Sequence, residues 1–556
     1  MKSTKIKYTA AALLFLQLFT GVLLAQNLPR ESIASHLSER FLLAGENLWF
    51  SVMVSNQHDL PGKQISNRAF VELIDASGRS VARSKVLLEE GNGSGMFVLP
   101  DSLPTGIYHL IAYTSWLRNF GEGHFSISGI LVVRPGDEFK TSQGAADDKV
   151  ESGKKAASEE IVFQMSKSLF QTREKVKVKL SLRDTGSAIA AVAIRRKEPL
   201  LNNYSATDFP QFTHPEVIDY LPDYKGILLS GYVRNKQNKE PLAKHEIYLS
   251  FPGENVEIKR TVSGDEGKFR FLLNPETGVK DLVFSLQSEN AGIWLDEHFA
   301  RNAGLEFTGS LFLDKNQEDY FTEKFINRQL QEKFDQSDTA PAPVNDTVEN
   351  YIFYSNPYQV LKPENYIELD SLHEYFYELI PTVHIKRRNK AYQMYLTNPE
   401  TNYSVGDHPA LFIDGVYYPY PGELMKLDVK KIERIEVIPE VYYYRRMAFD
   451  GIVSVFTKNR QFMDVPMQPN MYRIFYQPAD EFPEFNPKNY SENTTDPNIP
   501  DLRWLLHWQP RVEIEKDNPA VIEFYTGDLK GEFEISVTGI GHKGEIIKSH
   551  QNFRVE

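Results

Sequence analysis

Short segments in which polar and apolar residues alternate run through most of this chain, and they set the tightest limit on its fold. In KVKVKLSL (175–182), lysines alternate with valine and leucine, so this segment, when extended, has one apolar face and one solvent-exposed face. Similar segments, separated by turn-forming residues, occur over 28–135 and again towards residue 556. Strands at this spacing predict antiparallel β-sandwiches.

The first 25 residues have the layout of a cleaved secretory signal. Three lysines among the first seven residues precede the apolar run Ala10 to Leu24, and Ala25 offers a small residue at the cut. The alternative is a membrane anchor, but the run is short of the ~20 residues that a bilayer requires. No later apolar stretch is long enough for a spanning helix, so we expect no transmembrane segment in the mature chain and a place in the periplasm.

Composition excludes several classes of site. The chain has no cysteine, which excludes disulfides, cysteine-ligated metals and a thiol nucleophile. Its formal net charge is −13 and no basic cluster stands out. Phosphate binding needs a positive face, so we expect no nucleic-acid partner.

Two segments near the N-terminus resemble a known family. FLLAGENLWFSVMV (41–54) and FVELIDASGRSVARSKVLL (70–88) resemble a macroglobulin-type β-sandwich of bacterial envelope proteins. The resemblance implies such a sandwich over 28–135 and a short macroglobulin-like module over 161–222. Protease-trapping macroglobulins use a cysteine thioester, which this chain cannot form.

Residues 136–160, between those two modules, are small, polar and charged. Such a segment cannot bury a core, and we expect a flexible linker.

Residues 225–305 resemble a carboxypeptidase regulatory-like β-sandwich, through KGILLSGYVRNKQNKEPLAKHEIYLSF (225–251) and RTVSGDEGKFRFLL (260–273). Modules of this kind are non-catalytic accessory domains. Gly267 suits a positive φ between two strands.

A helical and loop connector is expected over 306–365. Its clearest feature is a helix in which four apolar residues are expected near one stripe: Phe321, Phe325, Leu330 and Phe334.

Residues 366–465 resemble the plug domain of TonB-dependent outer-membrane receptors. The matching order is a helix ending in LIPTV, a strand LFIDGV, the passage LDVKKIERIEVI and a closing strand GIVSVFTK. In receptors a barrel of several hundred residues follows the plug. Here 96 residues follow Arg460 (556 minus 460), and 466–556 is patterned as a further sandwich. The expected fold class is therefore multidomain and mainly β, with several antiparallel sandwiches and one α/β plug-like domain.

Two tyrosine-rich stretches of the plug-like domain stand out. In VYYYRRM (441–447), Arg445 replaces the glycine that receptors have after the family tyrosine at Tyr444. Bulky tyrosine and arginine are enriched at binding hot spots, and the alternative is aromatic packing on an edge strand. The partner-binding candidates are Tyr417, Tyr418, Tyr420, Tyr442, Tyr443, Tyr444, Arg445, Arg446 and Met447.

A search for catalytic motifs finds one weak match. His542-Lys543-Gly544-Glu545 has the short His-x-x-Glu spacing of zinc carboxypeptidases. It lies in a Gly-flanked turn outside the regulatory-like module, and chance explains it. Helical His-Glu-x-x-His, Gly-x-Ser-x-Gly and phosphate-loop motifs are missing. We expect no catalytic residue, no metal and no cofactor.

The leading hypothesis is a non-enzymatic periplasmic adaptor. It would dock its plug-like domain on a separate outer-membrane β-barrel protein or complex used for secretion, uptake or assembly. The second hypothesis is a glycan- or peptide-binding module, and a remote third is a hydrolase. The sequence assigns no oligomeric state.

Overall fold

Strands dominate the computed structural model of this chain. It describes the following residues: 28–56, 64–137, 160–184, 186–199, 217–253, 256–296, 298–300, 315–334, 352–354, 356–388, 391–406, 408–463, 465–491, 498–541 and 544–556. The expected signal segment, most of the expected linker and His542 lie outside these residues.

The first sandwich covers residues 28–137. Its strands are β1 Glu31–Leu37, β2 Phe41–Leu43, β3 Asn47–Asn56, β4 Arg68–Ile74, β5 Ser80–Leu87, β6 Asn92–Val98, β7 Gly106–Thr114 and β8 Ser126–Val133. One sheet has the order β1-β3-β6 and the other β2-β8-β7-β4-β5. Neighbours are antiparallel except β2 and β8, which are parallel. Buried residues such as Phe50 and Leu110 fill the space between the sheets, so this unit is the kind of sandwich that the strand pattern predicts.

The second sandwich is built from two distant parts of the chain. Its strands are β9 Ile161–Met165, β10 Leu169–Phe170, β11 Lys175–Leu182, β12 Ser187–Arg196, β30 Leu505–Glu515, β31 Ala520–Tyr525, β32 Gly531–Gly541 and β33 Ile546–Val555. The sheet orders are β10-β33-β32-β12-β30 and β31-β11-β9. The lysines of β11 are exposed and its valines and leucines are buried, as their alternation predicts.

This pairing differs from the predicted domain division. The sequence puts 161–222 and 466–556 in two separate domains, whereas β12 lies between β30 and β32 in a single sheet. The physical reason is that neither segment has enough strands to cover both faces of a core. Together they bury one shared cluster, which includes Val178, Ile194 and Phe533.

The third sandwich corresponds to the regulatory-like region and also recruits a distant strand. Its strands are β13 Ile227–Asn235, β14 Glu246–Ser250, β15 Ile258–Val262, β16 Lys268–Leu273, β17 Lys280–Leu286, β18 Ala291–Leu295 and β29 Met471–Tyr476. The orders are β16-β13-β18 and β15-β14-β17-β29. Gly267 has φ +73°, and Phe269 and Phe271 are buried side by side, as expected.

An α/β unit occupies residues 352–465. Its elements are β19 Gln359–Leu361, α2 Leu372–Leu379, β20 Val383–Arg388, β21 Ala391–Thr397, β22 Ser404–Gly406, β23 Ala410–Ile413, β24 Val416–Tyr417, α3 Pro421–Leu424, β25 Ile432–Ile438, β26 Tyr442–Tyr444, β27 Met447–Phe449 and β28 Ile452–Thr457. The central sheet has the order β19-β25-β28-β23-β24, with β23 parallel to β28. A mainly-β chain of several sandwiches with one α/β unit confirms the predicted fold class. The unit begins before residue 366, because Phe353 and Tyr354 are part of its core.

Helix α1, Lys315–Phe334, packs against the first two sandwiches through its first half. Tyr320 and Phe321 are buried with Phe41 and Trp504, and Lys324 is buried between Glu39 and Glu46. The prediction of one four-residue stripe is wrong. Leu330 and Phe334 are exposed. They follow Phe321 and Phe325 by nine residues each, which is two and a half helical turns, and so lie on the opposite side of the helix.

The units are joined by a buried ion pair. Arg68 of β4 contacts Asp223 at 3.2 Å and donates to the Tyr476 hydroxyl and the Pro478 carbonyl, both at 3.1 Å. Both charged side chains are almost fully buried. Arg68 of the first sandwich therefore binds both the segment that precedes the third sandwich and the end of that sandwich's last strand, β29. No described helix is long and apolar enough to cross a membrane.

Candidate functional site

The central sheet of the α/β unit is covered on both faces. Leu411 and Ile413 of β23 face the cluster that contains α2. Ala410 and Phe412 face a second cluster, which includes Val256 and Ile258 of the third sandwich. The alternation along one strand thus packs the unit against its own helix on one side and against a neighbouring unit on the other.

The β23–β24 turn is Asp414-Gly415, as predicted. Ile413 pairs with Val416, and both turn residues have positive φ, +46° and +80°, which is the conformation that an Asp-Gly hairpin favours. The buried Asp414 carboxylate accepts hydrogen bonds from the Thr457 and Phe462 backbone N–H groups at 2.6 and 3.0 Å. This turn is therefore fixed to the end of β28.

Tyr418 and Tyr420 face the interior. The Tyr418 ring is fully buried, its hydroxyl donates to the Pro466 carbonyl at 3.0 Å, and burial raises its pKa to about 12. The Tyr420 hydroxyl donates to Asn470 Oδ1 at 2.6 Å. Both side chains secure the segment that leads into β29.

Tyr417 lies at the contact with the third sandwich. Its ring is 4.6 Å from that of Tyr248, its backbone N–H donates to Ser250 Oγ at 3.1 Å, and its carbonyl accepts from Ser285 at 3.2 Å. Burial raises its pKa. The three tyrosines from 417 to 420 are thus engaged within this chain.

The second tyrosine-rich stretch forms the β26–β27 hairpin, and its underside is packed. Tyr442 donates to the Phe353 carbonyl at 3.1 Å, and the Tyr444 ring is 4.7 Å from the Phe353 ring. Met447 is buried in the same cluster. These contacts hold the hairpin rigidly on the sheet.

The outer side of this hairpin is exposed to solvent. Tyr443 is 77% exposed, and Arg445 and Arg446 are exposed at the turn. Arg445 has φ +53°, a left-handed conformation that costs a residue with a side chain roughly 1 kcal/mol and that glycine adopts freely. We call Tyr443, Arg445 and Arg446 the hairpin tip. The structure brings these three predicted residues together at the surface.

A second exposed surface of the α/β unit was not found from the sequence. Strand β19 is an edge of the central sheet in the described part of the chain, and Gln359 links it to the end of α2 through the Leu379 carbonyl. Large apolar side chains on and around these two elements are exposed: Tyr358, Val360, Tyr366, Ile367 and Tyr377. We call this set the edge surface. Its signal in the sequence is that Tyr377 falls outside the stripe Leu372, Tyr375, Phe376 and Leu379. The first three stripe residues are buried and Leu379 is half-buried against the same cluster, which confirms the core prediction.

The sequence reading also missed a basic hairpin. KRRNK (386–390) has four basic residues within five positions, and its first three residues are the last three of β20. Lys386 lies 4.5 Å from the Tyr395 ring centre, and Arg387 lies 5.7 Å from that of Tyr392. The expectation that no basic cluster stands out is therefore wrong for this hairpin.

No group of three or more metal-ligating side chains gathers among the described residues. The His-x-x-Glu match includes His542, which lies outside those residues.

Comparisons with known proteins give distant structural likenesses. The chain is similar to Escherichia coli alpha-2-macroglobulin activated by porcine elastase, at 10% identity and a TM-score of 0.24, over 95% of this chain and 44% of that chain. It is similar to Salmonella alpha-2-macroglobulin reacted with methylamine, at 9% identity and a TM-score of 0.23, over 94% of this chain and 39% of that chain. The chain spans less than half the length of these macroglobulins.

A shorter likeness is to Listeria innocua β-glucosidase in complex with isofagomine, at 19% identity and a TM-score of 0.14, over 19% of this chain and 16% of that chain. No protein-family model and no curated protein matches the chain.

Proposed function

We propose that this chain is a non-enzymatic periplasmic adaptor whose plug-like α/β unit docks on a separate outer-membrane β-barrel protein. The observation that carries the proposal is the hairpin tip. Tyrosine and arginine are the residue types that contribute most to protein interfaces, and here they are held outward on a hairpin whose underside is packed.

The strained turn supports this assignment. Arg445 keeps a left-handed backbone conformation in which glycine would be more stable. Its guanidinium lies over the Tyr444 ring at 5.1 Å and 3.8 Å from Glu257. An exposed ion pair at that distance adds little stability. The strained backbone at Arg445 costs the fold more stability than its contacts within the chain return. Strain of this kind is typical of residues that recognise a partner.

The edge surface supplies the second contact. Ile367 is 87% exposed, and an edge strand with unpaired backbone groups can pair with a strand of another protein. A closed barrel has no free strand edge, so its short periplasmic turns are the part that the edge surface and an arginine would contact. The sandwiches then serve as the rigid support of the α/β unit.

Affinity capture from detergent-solubilised envelopes tests the proposal. The full chain carrying an affinity handle is expected to retain a β-barrel protein, and Y443A combined with R446A is expected to weaken that retention by at least tenfold, about 1.4 kcal/mol.

The matched control is Y403A, which removes an exposed tyrosine elsewhere on the same unit and should leave retention unchanged. If no barrel protein is enriched, or if the double variant and the control behave alike, the proposal fails.

A further inference from the structure

The outer face of the three-stranded sheet β16-β13-β18 carries an aromatic surface that the adaptor function does not use. The inward residues of β13 and β16 form the core, and the alternate residues point out. Tyr232 of β13 is the direct cross-strand partner of Trp294 of β18. The two aromatic side chains therefore lie on the same outward face of neighbouring strands.

Gly292 leaves room for the Trp294 ring. A Cβ at Gly292 would lie 2.6 Å from the Trp294 ring atom Cη2, so the indole lies across the strand at this glycine. Lys239 lies 5.0 Å from the centre of the indole, and Arg234 lies 5.2 Å from the centre of the Tyr232 ring. The result is an aromatic surface with hydrogen-bond donors at its rim.

Tyr232 of this face lines a cleft of about 810 Å³, and Trp294 lies next to Tyr232 outside the cleft lining. Tyr232, Lys268 and Arg270 line the cleft on the sheet side, and Arg118 and Glu122 line it from the first sandwich. The volume is within the range of small-molecule sites, roughly 300–1,000 Å³. The cleft therefore lies between two units that the Arg68–Asp223 pair holds together.

The lining is polar and its charges balance. Three cations, Arg118, Lys268 and Arg270, line the cleft together with three anions, Glu122, Asp219 and Asp296. Asp223 is neutralised by Arg68.

His298 also lines the cleft. Burial lowers its pKa to about 3, so this side chain adds no charge near pH 7. A balanced set of donors and acceptors gives no preference for a charged ligand, and a polar lining disfavours a lipid.

A ligand with an apolar face and many hydroxyl groups satisfies both parts of the site. Sugar rings present C–H faces that pack on aromatic rings, while their hydroxyls exchange hydrogen bonds with carboxylates and with arginine and lysine. We propose that this cleft binds a neutral oligosaccharide, with one sugar unit packed on Tyr232, hydroxyl groups bonded to Arg270 and Asp296, and a further sugar unit that extends out of the cleft onto the neighbouring Trp294. The site is separate from the surfaces assigned to the adaptor.

Calorimetric titration of the full chain with neutral hexasaccharides tests this site. The probes are cello-, malto-, xylo-, laminari- and chitohexaose, with an oligogalacturonate as the acidic comparison. At least one neutral probe should bind with an affinity that salt does not change, because a neutral ligand is not screened. Y232A and W294A should each weaken it by about tenfold.

Two further variants separate lost contacts from lost folding. W294F keeps a ring and should retain most of the affinity, while G292L should displace the indole and lower the affinity without removing Trp294. Y403A is the matched surface control. No binding by any neutral probe, binding of the acidic probe alone, or an affinity unchanged in Y232A or W294A overturns the proposal.

Discussion

Asp414 binds Thr457 twice: its carboxylate accepts hydrogen bonds from the Thr457 backbone N–H and from the Thr457 hydroxyl, each at 2.6 Å. Asp414 is fully buried and stands at the turn between β23 and β24. Thr457 is the last residue of β28. The pair therefore joins two neighbouring strands of the α/β unit at the end where the chain turns towards the third sandwich.

Replacing Asp414 by alanine should destabilise the α/β unit by about 3 kcal/mol, because buried N–H groups of Thr457 and Phe462 lose their acceptor. Urea unfolding followed by tyrosine fluorescence measures the loss. D517A, at an exposed turn, should change stability by less than about 0.5 kcal/mol. Equal effects of the two substitutions would contradict the role of Asp414.

Glu31 should make stability depend on pH. Its side chain is buried, with Thr114 Oγ1 at 2.6 Å, and burial raises its pKa from 4.5 to about 7. A raised carboxyl pKa means that its stabilising contribution is present below pH 4.5 and is lost as the pH rises through 7. The loss is up to about 3 kcal/mol.

E31Q should remove this dependence, and the measurement is the free-energy difference between E31Q and the unmodified chain at each pH. The difference is needed because buried His36 and His507 have lowered pKa values, about 3 and 4, so they destabilise the chain as the pH falls below 6.5. A difference that stays constant from pH 4 to 8 would show that Glu31 is not the titrating group.

Arg68→Leu should cost about 3–5 kcal/mol, because it leaves the Asp223 carboxylate buried without its cation. The double variant with D223N should recover part of that loss. Scanning calorimetry should show the first and third sandwiches unfolding in separate transitions. R79L, which breaks the exposed Arg79–Asp75 pair, is the matched control and should have almost no effect.

Lys324→Met should release helix α1. Lys324 bonds Glu39 at 3.0 Å, Glu46 at 2.9 Å and the Phe41 carbonyl at 2.8 Å. Removing it should cost about 3–5 kcal/mol and should speed hydrogen exchange along α1. K333M, at the exposed end of the same helix, should leave hydrogen exchange unchanged. Identical exchange in both variants would show that Lys324 does not hold α1 in place.

Arg445→Gly should raise stability and lower partner binding at once. Glycine relieves the positive φ, which is worth roughly 1 kcal/mol, while the capture of the β-barrel partner should fall. K225G is the matched control, because Lys225 has φ +63° and lies away from the hairpin tip. If R445G gains stability and still captures the partner fully, the turn at Arg445 is not part of the interface.

The sequence predicts what depends on near neighbours. The Asp414-Gly415 turn, the positive φ of Gly267 and the buried face of β11 each follow from a few adjacent residues. The tyrosine stretches were identified, but which side each ring faces depends on Phe353 and Tyr248, and these lie far away in the sequence.

Long-range pairing could not be predicted in the same way. Nothing in SAIAAVAIRR (187–196) shows that it lies between strands that begin more than 300 residues later. Strand recruitment of this kind depends on which faces remain uncovered after the whole chain has folded. The Tyr232–Trp294 surface was missed for a similar reason, since it needs the register of β13 against β18.

The division of the second sandwich between two distant parts of the chain sets an order of events during synthesis. Strands β9 to β12 are synthesised first, and their partners β30 to β33 follow more than 300 residues later. Until β30 and β32 have been synthesised, β12 lacks both of its neighbours, and unpaired strand edges are prone to aggregate. The α/β unit has its own local pairings and can close first. The second sandwich forms after it, so a chain truncated before β30 would also leave β9 to β12 without their partners.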